Sequence, residues 1–520
     1  MQHNDVKDLH ELNDVMAGLF RDGNTAALTL TEGKTTRCVW NWNELQRQRC
    51  YCESVLQAQG LQAGDRVLVM TANNPQFFAL LLACYSLRLC MMPLHPDFSS
   101  AALQHLLLRE SPQLIIVDEL RHLSRLQHPH VIRLHERQQH WLQPILRLRS
   151  VRSNRLSRPL PVDTALLFHS SGSSGAPKGM CYTRSMLDNF MRHLGLLYQA
   201  FPDDAGDSVP SARVNVLPVT HWGGLSFCLQ SLLEGRTLHL LRNAQPADHL
   251  ALLRRSNCRF VLLIPSLLQE LLAEAALFPL PALRHCLAMG EAISTTKLQQ
   301  LSALLGVRVH NGYGMSECLT GIYNTHDDSA APTGSCGRLH FGEARLLAAD
   351  GCESDVGELS VRNATTKPCY TDPVLNHRKY RDGWYQTGDH LRRDSNGYYF
   401  FIGRADAMCV INGRNIYPQE VEQVMLQHPA VRACMVVPIT VASGAARLAL
   451  AVELHSGKAV DTNALLDFYV CRGAVYAAPV WLQFCHELPQ LPGGKPDRLR
   501  FAVELQQDYD HSHATLSAMA

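Results

Sequence analysis

The sequence carries no excess of charge of either sign. Among its 520 residues, 48 lysines and arginines face 47 aspartates and glutamates, which gives a formal net charge of +1. A protein that binds nucleic acid or an anionic membrane through its overall field carries a clear excess of basic residues. We therefore expect no nucleic-acid partner.

Long hydrophobic runs are also missing. The longest apolar segment extends from Phe77 to Leu87 and ends at Arg88, whereas a membrane-spanning helix needs about 20 apolar residues. The N-terminal segment MQHNDVKDLHELND lacks the basic region and the apolar core of a signal peptide. These absences predict a protein without a membrane span, located in the cytoplasm.

Spacings typical of metal sites are absent as well. The sequence contains neither HExxH nor a pair of CxxC motifs, and its 25 histidines are dispersed. The 17 cysteines are scattered, odd in number and mostly set in apolar stretches such as LLLACYSL. That distribution favours buried free thiols in a reducing compartment over a disulfide framework.

Short apolar segments alternate with helical patterns through the first two thirds of the chain. Apolar runs bounded by turn residues are typical of buried strands, and examples are DRVLVMTA, QLIIVD, ARVNVLPV, TLHLL and RFVLLIP. The segment NPQFFALLLACYSL predicts a helix with Pro75 near its start. This alternation predicts an α/β fold in which helices flank mixed or largely parallel sheets.

The later part of the chain is β-rich. GELSVR and GYYFFIGR are strand patterns, so we place a β-rich subdomain from about residue 335. Past Arg404 a compact α+β unit begins with a helix opened by Pro418. We predict a large N-terminal domain over residues 1–404, a small mobile C-terminal domain over 405–520, and a loose tail after about residue 505.

A run of serines and glycines, SSGSSGAPKG, follows the strand pattern TALLFHS and precedes a segment in which a helix soon begins. Glycines let backbone amides approach a phosphate closely, serines add hydroxyl donors, and Lys178 adds a positive charge. The spacing differs from Walker A, because Lys178 comes three residues after Gly175 and is followed by Gly179. Taken alone, the run also fits a Ser/Gly turn with an exposed lysine.

Four further motifs follow in order: NGYGMSE at 311–317, YQTGD at 385–389, GRADAMCVINGRNIYPQEVE at 403–422 and LPGGKPDRL at 491–499. Together with the Ser/Gly run, this ordered set resembles the acyl-adenylate-forming enzymes. That superfamily includes acyl- and aryl-CoA ligases, firefly luciferase and the adenylation domains of nonribosomal peptide synthetases. The resemblance implies the reaction carboxylate + ATP → acyl-AMP + pyrophosphate, usually followed by attack of a thiol.

The resemblance implies an ATP site with bound Mg²⁺. The Ser/Gly loop and Lys178 would hold the β- and γ-phosphates, Tyr313 would lie against adenine, and Asp389 would accept hydrogen bonds from both ribose hydroxyls. Ser316 would bond a phosphate oxygen and Glu317 would bind Mg²⁺. The full set of implied ATP-binding residues is Ser170, Ser171, Gly172, Ser173, Ser174, Gly175, Lys178, Tyr313, Asp389 and Arg404.

Three residues would act on the acid and on domain movement. Lys495 would be the mobile lysine that bonds both the acid carboxylate and the α-phosphate. His221 would gate the acid pocket and orient the carboxylate, and Asp406 would be the hinge of the C-terminal domain. Taken singly, Lys495 also fits a solvated lysine in a Gly/Pro loop and Asp406 an ordinary loop aspartate, so their roles depend on the ordered set of motifs.

The implied pocket for the acid is formed by Trp222, Gly223, Gly224, Met289, Gly290, Glu291, Gly312, Cys318 and Leu319. Met289 stands where many relatives have glycine, which would narrow the pocket. Gly223 and Gly224 could leave room for an acyl or ring group, or could equally serve a tight turn. The local segment THWGG offers no aspartate to pair with a substrate ammonium, which favours a non-amino acid.

One position departs from the family pattern. Many relatives have a lysine four residues after the hinge aspartate, used in the thiol-accepting conformation, and this sequence has Val410 there. The acceptor is therefore CoA, the phosphopantetheine of a separate carrier protein, or another nucleophile. The alternatives to an acyl- or aryl-acid ligase are a stand-alone amino-acid adenylation enzyme and a catalytically silent nucleotide-binding protein.

Overall fold

The computed structural model describes most of the chain. The described residues are 23–33, 35–96, 98, 100–118, 131–134, 142–144, 159–170, 178–202, 210–242, 246–265, 280–290, 293, 295–405, 407–411, 414–441, 445–473, 477–489 and 497–518. In these ranges the helices are α1 (Trp42–Ala58), α2 (Pro75–Ser86), α3 (Ser100–Glu110), α4 (Arg184–Gln199), α5 (Trp222–Leu233), α6 (Pro246–Arg255), α7 (Thr295–Leu305), α8 (Pro373–Lys379), α9 (Pro418–Met425), α10 (Thr462–Val470) and α11 (Arg498–Ala518).

Strands occur throughout the described ranges. They are β1 (Ala26–Glu32), β2 (Thr35–Asn41), β3 (Arg66–Met70), β4 (Cys90–Leu94), β5 (Leu114–Val117), β6 (Val131–Leu134), β7 (Leu142–Pro144), β8 (Thr164–Ser170), β9 (Lys178–Thr183), β10 (Arg213–Asn215), β11 (Leu238–Arg242), β12 (Phe260–Leu263), β13 (His285–Ala288), β14 (Val309–Asn311), β15 (Ile322–Tyr323), β16 (Arg338–Leu339), β17 (Glu343–Leu347), β18 (Val356–Arg362), β19 (Tyr380–Arg381), β20 (Trp384–Arg393), β21 (Tyr399–Arg404), β22 (Cys409–Ile411), β23 (Arg414–Ile416), β24 (Val431–Thr440), β25 (Ala446–Leu454) and β26 (Trp481–Phe484).

The largest sheet has the strand order β7-β6-β5-β3-β4-β8-β9. Its central strands pair in parallel, and the edge strands β7 and β9 pair antiparallel to their neighbours. Every residue of β3 is buried, because helices cover both faces of a largely parallel sheet. Helix α2 begins as its sequence predicts: the Asn74 side chain accepts a hydrogen bond from the Phe77 amide at 2.8 Å, and Pro75 occupies the first turn.

Two further sheets complete the α/β part. One has the order β10-β11-β1-β2, and the other is the fully parallel sheet β12-β13-β14. The β-rich part is built on β17-β18-β20-β19, with β21 paired to β20. Gly397, with φ +82°, lies in the turn between β20 and β21, and the pair Asn396-Gly397 is a sequence typical of such hairpin turns. The predicted α/β fold with mixed sheets and flanking helices is therefore confirmed.

The C-terminal sheet β24-β25-β26 is covered on both faces. Helices α9 and α10 pack on one face, and α11 packs on the other. The predicted loose tail after about residue 505 is wrong, since α11 extends to Ala518. Phe501, Leu505 and Tyr509 share one helix face and are buried against the sheet. The division into two domains at residues 404–407 stays a prediction.

Two observations concern thiols and membranes. All 17 cysteines are free, and most are buried in apolar surroundings, as their scattered positions predict. Among the helices of the described ranges, none combines the length and the apolar character that crossing a bilayer requires.

Candidate active site

The GYGMSE segment lies at the carboxyl edge of the parallel sheet β12-β13-β14. Gly312 follows β14 directly, and its amide donates to the Ala288 carbonyl at the end of β13 at 3.0 Å. Met289 and Gly290 follow β13, so they lie beside Gly312. Ligands of open α/β sheets bind at the carboxyl ends of parallel strands. This edge therefore brings the predicted nucleotide motif and two predicted pocket residues together.

Met289 packs over the two glycines of the motif. A Cβ on Gly312 would lie 3.0 Å from Met289 Cγ and 3.1 Å from its Sδ, and a Cβ on Gly314 would lie 3.0 Å from Met289 Cε. Glycine at both positions accommodates this side chain. The thioether occupies space beside Tyr313 that a smaller residue at position 289 would leave open.

Tyr313 and Asp389 are joined directly although they are 76 residues apart. The Tyr313 hydroxyl donates to Asp389 Oδ2 at 2.6 Å, and Arg404 Nη1 lies 3.4 Å from Asp389 Oδ1. Asp389 lies in β20 opposite Arg404 in β21, so pairing of the two strands brings the carboxylate and the guanidinium together. Burial, and then the charge of Asp389, raise the pKa of Tyr313 well above its usual value, which keeps the hydroxyl a donor.

Glu317 belongs to a second polar chain. The Tyr370 hydroxyl donates to Glu317 Oε1 at 2.7 Å and lies 2.9 Å from the Tyr385 hydroxyl. Tyr385 opens the YQTGD motif in β20. Burial, and then Glu317, raise the pKa of Tyr370. The chain of hydroxyls thus connects the predicted Mg²⁺ ligand to the strand that carries Asp389.

The Ser/Gly run connects β8 and β9, which form an antiparallel pair in which Ser170 is opposite Lys178. The strand β9 precedes α4, so the helix begins only at Arg184 rather than directly after the run. Ser171, Gly172, Ser173, Ser174 and Gly175 lie outside the described residues, as does the side chain of Ser170. Lys178 is half-buried at the start of β9.

Strand β9 is also hydrogen-bonded to the GYGMSE segment. The Tyr182 hydroxyl donates to the Ser316 carbonyl. The Thr371 amide donates to the Gly179 carbonyl at 2.9 Å, which places Tyr370 next to the same strand. Tyr182 and Tyr370 carry no sequence signal, because nothing local distinguishes a tyrosine whose partner is distant in the chain.

The predicted acid-gating residue His221 directly precedes a helix. It is the N-cap residue of α5, where its Nδ1 accepts from the Gly223 amide at 3.3 Å. A Cβ on Gly224 would lie 2.3 Å from the Pro218 carbonyl oxygen, so close packing requires glycine there. A Cβ on Gly223 would meet no atom closer than 3.6 Å. Close packing therefore explains the glycine at position 224, whereas a Cβ at position 223 would make only ordinary van der Waals contacts.

Trp222 lies in an aromatic cluster rather than on an open wall. Only 4% of its surface is exposed; its ring stacks on Tyr182 at 4.3 Å and meets Phe168 and Phe190 edge-on. Cys318 is fully buried. Leu319 is fixed by hydrogen bonds of its amide and carbonyl to Thr365 and Asn363. Besides the Ser/Gly run, the predicted site residues Glu291, Asp406 and Lys495 lie outside the described ranges.

Comparison with known proteins identifies the family. The sequence model of the AMP-binding enzymes, described as "AMP-binding enzyme", matches residues 21–371, more than half of the chain. The chain belongs to the AMP-binding enzyme family. This match confirms the predicted family. Together with the CoA ligases among the relatives described below, it confirms the predicted activity class, ATP-dependent activation of a carboxylic acid by an AMP-forming acid–thiol ligase.

Named proteins resemble the chain over most of its length. It is 25% identical to a sulfoacetate–CoA ligase of Cupriavidus necator, over 85% of this chain and 88% of the relative. It is 26% identical to a feruloyl-CoA synthase of an Amycolatopsis species, over 87% and 91% of the two chains. The crystal structure of ATP-bound MatB from Rhodopseudomonas palustris superposes with a TM-score of 0.80 at 21% identity, over 96% of this chain and all of MatB, and shows the same fold.

Proposed function

We propose that this protein activates a small non-amino carboxylic acid with ATP and Mg²⁺, and transfers the acyl group from acyl-AMP to a thiol. The observation that carries the proposal is the 2.6 Å hydrogen bond from Tyr313 to Asp389. Adenine and ribose are covalently joined, so groups that bind them must lie close together. The contact between Tyr313 and Asp389 supports assigning the first to adenine and the second to ribose.

The residues around Glu317 fit a magnesium ion that is held largely by the phosphates of ATP. Among the described residues, no cluster of three histidine, cysteine or acidic side chains could hold a metal by itself. Mg²⁺ in nucleotide sites is bound by one or two carboxylates together with phosphates and waters, and Glu317 is such a carboxylate. Tyr370 orients it through Oε1. When bound, Mg²⁺ would neutralise charge on the phosphate oxygens.

The reaction requires two anions to meet. A carboxylate oxygen forms a bond to the α-phosphorus while the bond from that phosphorus to the bridging oxygen of the β-phosphate breaks, and pyrophosphate leaves. Cations must lower the repulsion between the two anions. We assign this role to Lys178, at the start of β9, and to Lys495. Lys495 belongs to a C-terminal domain that would swing about Asp406 between the two half-reactions.

The residues predicted to bind the acid favour a substrate without an amino group. His221 caps α5, Trp222 is its first residue, and the segment 220–224 carries no carboxylate to pair with an ammonium. The two relatives named above are specific for sulfoacetate and feruloyl groups by name, and neither group contains an amine. Met289, packed on Gly312 and Gly314, would set the size of the acyl group.

The thiol acceptor is CoA or the phosphopantetheine of a separate carrier protein. Val410 lies in β22 opposite Asn415 of β23, where many relatives have a lysine used during thiol transfer. An uncharged residue there leaves the first half-reaction unaffected. The second half-reaction would be slower, or would take an acceptor that needs no lysine.

The proposal is tested by measuring AMP formation with fatty, aryl and amino acids, each with CoA, with a holo-carrier protein and with hydroxylamine. We expect AMP formation that depends on a non-amino acid and a thioester product. Glu317→Gln should lower kcat/KM on the order of a hundredfold, and Glu353→Gln, at an exposed position, should leave it unchanged. ADP formation, dependence on an amino acid, or nucleotide binding without turnover would each contradict the proposal.

A further inference from the structure

A lysine that the family motifs do not include lies beside the candidate nucleotide site. Lys379 is the last residue of α8, and its Nζ lies 2.8 Å from the point where Gly388 would carry a Cβ. Gly388 precedes Asp389, and Arg404 Nη2 lies 3.9 Å from the same point. An ammonium and a guanidinium therefore converge on one glycine next to the predicted ribose carboxylate.

The position of Lys379 lacks a direct counter-charge. Its side chain is half-buried, and it makes no hydrogen bond or ion pair with any residue in the described part of the chain. The nearby Glu358 carboxylate instead accepts the Gly388 amide through Oε1 at 3.0 Å. Burial, and the like charge of Arg404, lower the pKa of Lys379, while Glu358, Asp389 and Glu317 act in the opposite sense.

Two cations close together in partly buried surroundings repel each other unless an anion lies between or beside them. Asp389 already lies near Arg404, so Lys379 is the cation left to contact a ligand. The phosphate that is covalently joined to a ribose on Asp389 is the anion placed nearest. Its non-bridging oxygens can accept charge-assisted hydrogen bonds from an ammonium.

We propose that Lys379 binds the ribose-linked phosphate of ATP and of the acyl adenylate, an inference that rests on the proposed function. The short helix α8 ends at this lysine, and Tyr380 follows it in β19, which pairs with β20. That pairing fixes the distance between α8 and the strand that carries Asp389. Lys379 thus adds a cation from the N-terminal part of the chain that stays in place when Lys495 moves away.

The test compares AMP, which has this phosphate, with adenosine, which lacks it. Binding of each is measured by calorimetry for the unmodified 520-residue protein and for Lys379→Met, Lys379→Arg and Lys458→Met; Lys458 is exposed in the C-terminal part. We expect Lys379→Met to weaken AMP binding about tenfold and to leave adenosine binding unchanged. Lys379→Arg should keep most of the AMP affinity, and Lys458→Met should match the wild type.

Two outcomes overturn the inference alone: unchanged AMP binding by Lys379→Met, or equal weakening of AMP and adenosine, which would assign Lys379 a role in shaping the ribose site. Failure of the wild-type protein to bind AMP, adenosine or ATP overturns the proposed function as well. Retained adenosine binding in Lys379→Met shows in the same experiment that the variant is folded.

Discussion

Replacement of Glu110 by glutamine probes a buried ion cluster next to the strand that enters the Ser/Gly loop. Glu110 ends α3, and its side chain is 0% exposed. Its Oε2 lies 3.3 Å from Arg66 Nη1, and its Oε1 lies 2.7 Å from Arg109 Nε and 3.4 Å from His169 Nε2. His169 immediately precedes Ser170 in β8, so the cluster fixes the start of the predicted phosphate loop.

The pKa of Glu110 gives the size of the expected loss in the free energy of unfolding. Burial alone would raise it, but the hydrogen bonds and charges of His169 and Arg109 outweigh burial and lower it from 4.5 to about 2. That difference corresponds to roughly 3 kcal/mol at 1.36 kcal/mol for each tenfold change in proton affinity. Removal of one partner of a buried ion pair costs about 3–5 kcal/mol. We therefore expect Glu110→Gln to lower the free energy of unfolding by about 3 kcal/mol at pH 7.

The assay is urea unfolding followed by tryptophan fluorescence, repeated as the pH is lowered. Because the folded protein lowers the pKa of Glu110, its contribution is complete above pH 4.5 and is lost as the pH falls towards about 2. The wild type and the variant should therefore converge in acid. Glu343→Gln is the matched control, since Glu343 pairs with Arg362 at 2.6 Å but both side chains are exposed. Equal stability of Glu110→Gln and wild type at pH 7, or a difference that does not narrow in acid, would refute the reasoning.

Three further substitutions test the site and its packing. Tyr313→Phe removes the 2.6 Å bond to Asp389 and should lower stability by about 1–2 kcal/mol in urea unfolding; an unchanged midpoint would contradict this bond. Met289→Ala uncovers Gly312 and should raise the ratio of kcat/KM for a larger acid over a smaller one at least about tenfold, whereas a constant ratio would place Met289 outside the acyl pocket. Trp222→Ala empties the centre of an aromatic cluster and should cost about 3–5 kcal/mol by the same unfolding assay; a cost below about 1 kcal/mol would mean that the ring packs loosely.

Local sequence patterns predict those elements whose signals are local. Asn74 and Pro75 start α2 as their residue types indicate, and the apolar run Leu114–Val117 forms a buried strand. The sequence gives no clear signal for the helical continuation of the C-terminus, because Phe501 and Tyr509 lie in a polar stretch. The apolar face that they form stabilises the helix only when the sheet β24-β25-β26 covers it.

The same distinction between local signals and tertiary contacts applies to the residues of the candidate site. Tyr313 and Asp389 were recognisable because each lies in a short motif, but their mutual hydrogen bond depends on the fold. Tyr370 and Lys379 carry no motif, and their importance depends on which strands pair: β20 places Tyr385 and Gly388 next to them. Sequence patterns identify residues that act on a common ligand more readily than residues that support them through tertiary contacts.

The central claim is that this protein forms an acyl adenylate, and exchange of labelled pyrophosphate into ATP measures that step without the thiol acceptor. The assay covers fatty, aryl and amino acids, with Lys495→Ala as the test variant and Lys458→Ala as the control. Exchange that depends on one non-amino acid, is lost in Lys495→Ala and is kept in Lys458→Ala is the result we predict. Tight ATP binding with no exchange for any acid would contradict the account and would indicate a nucleotide-binding protein without this chemistry.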